Sequence, residues 1–121
     1  MSQTILAVDD SPSMRRMVAH VLRTGGYEVL EAEDGEEALR IARARRVDAV
    51  LTDQNMPRMD GLTLVRRLRS LEEYSRTPLM LLTTESSQEM KQKGREAGAT
   101  GWMVKPFDPD RLLQMFAKLF G

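Results

Sequence analysis

Ala49-Val-Leu-Thr-Asp-Gln-Asn-Met-Pro57 decides the fold, because a short apolar run ends there on a carboxylate. Ala49-Val-Leu-Thr52 reads as a strand buried on both faces, the kind found in a parallel sheet. The same pattern recurs in both directions along the chain. Ile5-Leu-Ala-Val8 precedes Asp9-Asp10, Leu79-Met-Leu-Leu82 precedes Thr83, and Trp102-Met-Val104 precedes Lys105. In an open α/β sheet the carboxyl ends of the strands share one edge, where ligands bind. Three aspartates, a hydroxyl and an ammonium, far apart in sequence, are thereby predicted to converge.

Helical patterns separate these runs. After the first strand, Met14, Met17, Val18, Val21 and Leu22 recur at helical spacing until Gly25-Gly26 stops them. Glu28-Val-Leu-Glu-Ala32 reads as a second strand. Asp34-Gly35 then turns the chain into a helix from Glu36 to about Arg45, with Ala38, Leu39, Ile41 and Ala42 opposite Arg40, Arg43 and Arg45. Met59-Asp60-Gly61 precedes a third helix with Leu62, Leu64, Val65 and Leu68 inside and Arg66, Arg67 and Arg69 outside. A fourth helix, Ser86 to about Ala97, has few apolar residues beyond Met90 and Ala97 and carries Gly94 in its middle. Relative to alanine that glycine costs about 1 kcal/mol, so this helix is expected among the less stable parts. Asp108-Pro109 is an N-cap with proline at the first helical position. The last helix runs to about Leu119, and Leu112, Leu113, Met115, Phe116, Leu119 and Phe120 exceed one buried stripe, so part of it is expected to face a partner.

The 121 residues fit one domain, 1–121, without linker, repeat or low-complexity tract and without room for an output module. The 18 basic and 18 acidic residues cancel, which argues against nucleic acid as a partner. With no cysteine, disulfides and thiol catalysis are excluded. Met1-Ser-Gln-Thr4 has neither a basic n-region nor a long apolar stretch, so the expectation is a cytoplasmic protein with no membrane segment.

The converging residues suit Mg²⁺ and phosphoryl chemistry. Mg²⁺ prefers octahedral oxygen coordination with retained waters and one or two carboxylates, which Asp10 and Asp53 would offer, with Asp9 acting through water. Three charged aspartates repel one another unless a cation sits among them. Lys105 offers a point charge and Thr83 a hydroxyl to phosphate oxygens, and phosphoryl transfer depends chiefly on such positioning and neutralisation. Asp53 is the candidate nucleophile, forming an acyl phosphate. Singly, each feature has a plainer reading: an Asp-Asp pair caps a turn or helix, and Lys105-Pro106 ends a strand. The combination, each member following its own strand, favours a site. His20 reads as a surface residue, the nine methionines mostly as core filler, and the arginine clusters Arg15-Arg16, Arg43-Arg45-Arg46 and Arg66-Arg67-Arg69 as solvated faces.

These residues carry a resemblance. Val8-Asp9-Asp10-Ser11, Thr52-Asp53-Gln54-Asn55-Met56-Pro57 with Met59-Asp60-Gly61, Leu82-Thr83-Thr84-Glu85 and Gly98-Ala-Thr-Gly-Trp-Met-Val-Lys-Pro-Phe107 resemble the receiver domain of two-component response regulators over nearly the whole chain. The resemblance implies a (βα)₅ flavodoxin-like three-layer sandwich with a five-stranded parallel sheet of order 2-1-3-4-5. It implies that Asp53 accepts a phosphoryl group from a histidine kinase, that Asp10 binds Mg²⁺ directly and Asp9 through water, and that the Asn55 backbone carbonyl completes the protein ligands. Thr83 and Lys105 would contact the phosphoryl group. Met14-Arg15-Arg16, Asn55-Met56-Pro57 and Thr83 to Glu85 are most similar to the single-domain chemotaxis regulators, the CheY subfamily. Expected partners are then a CheA-like histidine kinase, a flagellar motor switch protein or other protein target, and a phosphatase, with the chain itself a monomer. The output face would be the fourth helix, fifth strand and fifth helix. Trp102 stands where the family usually has a rotating Tyr or Phe, and Gln54 replaces the tryptophan some chemotaxis regulators carry.

Two signalling readings compete, a stand-alone switch that binds a target when phosphorylated and a phosphorelay carrier or sink that passes the group to another histidine protein. A phosphatase on a similar sheet would need a second Asp two residues after the nucleophile, and Asn55 occupies that position. An FMN carrier would need a Ser/Thr/Gly-rich phosphate loop after strand one, which is missing. The expectation is a switch that catalyses only its own phosphorylation and dephosphorylation.

Overall fold

Five short strands and five helices alternate along the chain in a computed structural model that describes residues 2–121. They run β1 (Thr4–Val8), α1 (Pro12–Thr24), β2 (Glu28–Ala32), α2 (Gly35–Ala44), β3 (Ala49–Asp53), α3 (Gly61–Arg69), β4 (Leu79–Thr83), α4 (Gln88–Ala97), β5 (Gly101–Val104) and α5 (Pro109–Phe120). The strands form one parallel sheet in the order β2-β1-β3-β4-β5, the flavodoxin-like order expected from the resemblance.

Strand periodicity divides the core in two. Leu6, Val8, Val50, Leu79 and Leu81 pack with α2, α3 and Ala97 of α4 on one face, while Ile5, Ala7, Ala49, Leu51, Met80 and Leu82 pack with α1 and α5 on the other. The result is a three-layer sandwich whose central strands β1, β3 and β4 are buried throughout. Burying each Leu or Ile fully contributes about 1.5–3 kcal/mol, and Ile5, Leu6, Leu51, Leu79, Leu81 and Leu82 of these strands are matched by Leu22, Leu39, Leu64, Leu68 and Leu112 of the helices that cover them. β5 departs from the expectation of burial on both faces: it is an edge strand, half-buried, with Val104 exposed.

Polar residues fix where the helices begin and end. Ser11, Asp34, Asp60, Ser87 and Asp108 each accept a backbone N–H of the helix they precede. All five helices carry Arg or Lys in the last turn, which complements the negative end of the helix dipole. Acidic caps therefore gather at the carboxyl edge of the sheet and basic residues at the opposite edge.

Three residues depart from their expected sides. Met17, placed by spacing on the buried stripe of α1, is 49% exposed, because Val18, Ala19, Val21 and Leu22 already fill the contact with the sheet. Arg69, expected in solvent, turns back: Nε donates to the Gly98 carbonyl at 2.8 Å, Nη1 to those of Tyr74 and Thr77, and Nη2 to Thr100 Oγ1. Gly98 is the left-handed cap of α4 at φ 96°, so Arg69 fastens the end of α4 to α3. Arg15 is likewise drawn in, as described below. Unforeseen was a 3₁₀ turn at Glu72–Tyr74, whose Tyr74 is fully buried and donates its hydroxyl to the Ala42 carbonyl at 2.6 Å.

Candidate phosphoacceptor site

Because β1, β3, β4 and β5 are parallel and in register, their carboxyl ends deliver the expected residues to one edge. Asp9, Asp10 and Asp53 each offer a carboxylate oxygen within 4.8 Å of the others. Asp9 and Asp53 are each 4% exposed and Thr83 is 1% exposed, whereas Asp10 faces solvent. Lys105 Nζ lies 2.7 Å from Asp53 Oδ1 and 4.0 Å from Asp9 Oδ2. The shorter contact is an ion pair that compensates Asp53 Oδ1, whereas Asp9 Oδ2 is buried with no hydrogen-bond partner. The Lys105–Pro106 peptide bond is cis.

Three carboxylates against one ammonium leave the site with uncompensated negative charge, and a buried carboxylate oxygen without a partner is costly. The Asp9 carboxyl is accordingly pushed above the ordinary carboxylate value of 3.8: burial is the main cause, the Ser11 N–H opposes it, and the Asp53 charge adds to it. An oxygen-rich, under-neutralised cluster of this kind fits a hard divalent cation. Asn55 follows at the exposed rim of the β3–α3 loop, and its carbonyl accepts no hydrogen bond among the described residues.

Asp9 is held from several sides. Its backbone N–H donates to the Ala32 carbonyl, its Oδ1 accepts from the Ser11 N–H at 2.9 Å, and its carbonyl accepts from Arg15 Nη1 at 2.8 Å. Arg15 also pairs with Glu31 at 3.3 Å. It is thus a brace behind the site and not, as its cluster was read in the sequence, part of a solvated face. Thr83 Oγ1 accepts from the Glu85 N–H at 3.1 Å, which leaves the hydroxyl proton available to a neighbouring acceptor. The structure thus brings together Asp9, Asp10, Asp53 and Lys105, with Thr83 ending the strand beside them.

Trp102 lies away from this cluster, half-buried on β5. Its ring packs over Gly94 of α4, where an added Cβ would stand 3.8 Å from the indole, and Lys91 Nζ is 5.8 Å from the ring centroid. Gln54, read in the sequence only as a replacement for tryptophan, is buried and bonded to the start of α3. Nothing in its spacing announced that role.

Residues 5–117 match the response regulator receiver domain family. Chemotaxis protein CheY-3 of Vibrio cholerae is 38% identical over 117 residues, which cover 96% of this chain and 90% of that protein. The structure of the Vibrio cholerae chemotaxis protein CheY4 superposes with a TM-score of 0.94 at 48% identity, covering 98% of both chains. The receiver domain of a sensor histidine kinase from Pseudomonas aeruginosa, solved with magnesium coordinated in its active-site cleft, matches with a TM-score of 0.89 at 32% identity over 98% of this chain and 97% of that one.

Proposed function

The chain belongs to the response regulator receiver family, of CheY type, and we propose that it is a single-domain phosphorylation switch whose phosphoacceptor is Asp53. The observation that carries this reading is the buried Asp53 carboxylate facing Lys105 at 2.7 Å within a cluster of two further aspartates. A carboxylate oxygen of Asp53 forms a bond to phosphorus as the P–N bond to a kinase histidine breaks. The electron pair stays on the imidazole nitrogen, which takes a proton from water. Asp10, Asp53 and the Asn55 carbonyl would hold Mg²⁺, with Asp9 through water; the cation supplies charge neutralisation and orients the phosphoryl oxygens. Lys105 then passes from Asp53 to the phosphoryl group, and the Thr83 hydroxyl donates to it.

Output follows from the same geometry. Drawing Thr83 toward the new charge pulls the loop from Thr84 to Ser87 at the start of α4, a helix with few core contacts, and displaces the seat of Trp102. Within the output face, β5, the loop that follows it and the first turn of α5 carry a groove of about 560 Å³ lined by Trp102, Met103, Val104, Phe107, Asp108 and Arg111, which suits a protein target. A CheA-like kinase, a flagellar motor switch protein and a phosphatase are the expected partners of a cytoplasmic monomer, with residues 1–121 acting as one receiver unit. No described helix is long and apolar enough to cross a membrane.

Beryllofluoride, standing in for the phosphoryl group, provides the test in a pull-down with Mg²⁺. Capture of a flagellar switch protein only in its presence supports the switch. Capture of a histidine phosphotransfer protein supports a relay carrier, and capture independent of the mimic contradicts both.

A further inference from the structure

We propose that Gln54, the residue after the phosphoacceptor, is a positioning residue that clasps the β3–α3 loop and thereby presets the metal site. Its side chain is 6% exposed and points to the start of α3. Oε1 accepts the Leu62 N–H at 2.9 Å, Nε2 lies 3.3 Å from Asp60 Oδ2, and the Gln54 carbonyl accepts the Gly61 N–H at 3.0 Å. Asp60 Oδ1 in turn accepts the Thr63 N–H at 2.8 Å. Both ends of the amide agree on its orientation: a backbone donor meets the oxygen and a carboxylate meets the NH₂.

The first N–H groups of a helix have no partner within it. At α3 three successive ones, from Gly61, Leu62 and Thr63, are taken by Gln54 and Asp60 alone. The loop between these two residues is consequently a closed ring fixed to the helix at both ends. Asn55, the proposed backbone ligand, is the next residue in that ring. Gly61 adds to the tightness, since a Cβ there would stand 2.6 Å from the Asp53 carbonyl oxygen. The clasp thus fixes the positions of Asp53 and of the Asn55 peptide relative to one another before any cation binds. Groups that hold ligands in place without touching the metal strongly influence its affinity.

The inference rests on the receiver reading of the site and is tested on the unphosphorylated full chain by calorimetric titration with Mg²⁺. Gln54→Met keeps length and burial but loses both side-chain bonds, and its dissociation constant should rise roughly tenfold. The double variant Gln54→Glu/Asp60→Asn exchanges carboxylate and amide, keeps the total charge, and should return to near the wild-type constant. Val65→Ala loosens α3 from the core without touching the clasp and should lower the melting temperature while leaving the constant unchanged. Wild-type affinity in Gln54→Met overturns the inference, as does failure of the double variant to recover or an equal loss in Val65→Ala. No Mg²⁺ binding by the wild type defeats the receiver reading of the site and this inference with it.

Discussion

The Lys105 N–H donates to the Thr83 carbonyl at 2.7 Å, extending the β4–β5 ladder one step past the Thr83–Val104 pair. The residue whose ammonium faces Asp53 and the residue whose hydroxyl ends β4 are therefore rigidly joined through their backbones. A charge placed on Asp53 acts on both at once, and both strands lead to α4 and α5.

Asp9 gives the site a pH dependence. Its carboxyl is raised by burial, so the folded protein holds a proton that the unfolded chain releases. The associated stability is fully present below the ordinary value of 3.8 and is lost as pH rises through the raised folded value. Metal-free protein should thus lose stability across that window, and Asp9→Asn should be the more stable of the two at neutral pH. Mg²⁺ at about 100 times its dissociation constant should add about 2.7 kcal/mol at neutral pH, and this gain should shrink as the pH falls through the same window and largely vanish in Asp10→Asn. Melting temperatures with and without Mg²⁺ across pH check this; a gain independent of pH contradicts it.

Arg69 is expected to be structural. Arg69→Leu removes its bonds to the Gly98, Tyr74 and Thr77 carbonyls and to Thr100, and should cost on the order of 3 kcal/mol in urea unfolding. Lysine should recover little of this, because one ammonium cannot reproduce the planar fork. A cost below about 0.5 kcal/mol, the usual range of surface substitutions, would return Arg69 to the solvated face.

Gly94→Ala should stabilise the protein by about 0.5–1 kcal/mol, because its φ is not left-handed and the added Cβ would meet only Leu81 and Trp102, at 3.7 and 3.8 Å. Thermal unfolding reads this directly, and a loss of stability would mean that α4 sits closer to the sheet than described.

What the sequence disclosed, and what it concealed, follows from how each residue acts. Strand ends were legible because buried parallel strands leave unbroken apolar runs, and Asp9, Asp10, Asp53, Thr83 and Lys105 were legible because each follows one. Arg69, Arg15, Gln54 and Tyr74 were hidden because each has a backbone carbonyl or N–H brought to it by the fold among its partners, and a backbone group has no letter in the sequence. Asp108-Pro109 did carry a readable N-cap signal, which the structure bears out at α5. Met17 misled because helical spacing locates a stripe but not its edges.

Trp102 should report the switch. Beryllofluoride with Mg²⁺ should change its emission in the wild type, where the indole packs over Gly94 beneath Lys91, and leave it unchanged in Thr83→Ala. Identical wild-type spectra with and without the mimic would remove Trp102 from the signalling path and shift attention to the α1 face bearing Arg16.

Phosphoryl labelling tests the central claim most directly. Incubation with acetyl phosphate and Mg²⁺, followed by mass spectrometry of the intact chain and its peptides, should show one acid-stable, base-labile phosphoryl group on Asp53. Asp53→Asn should remain folded and unlabelled, and Lys105→Ala should be labelled slowly. Label persisting in Asp53→Asn, or found on another residue of the wild type, would contradict the assignment of Asp53 as the phosphoacceptor.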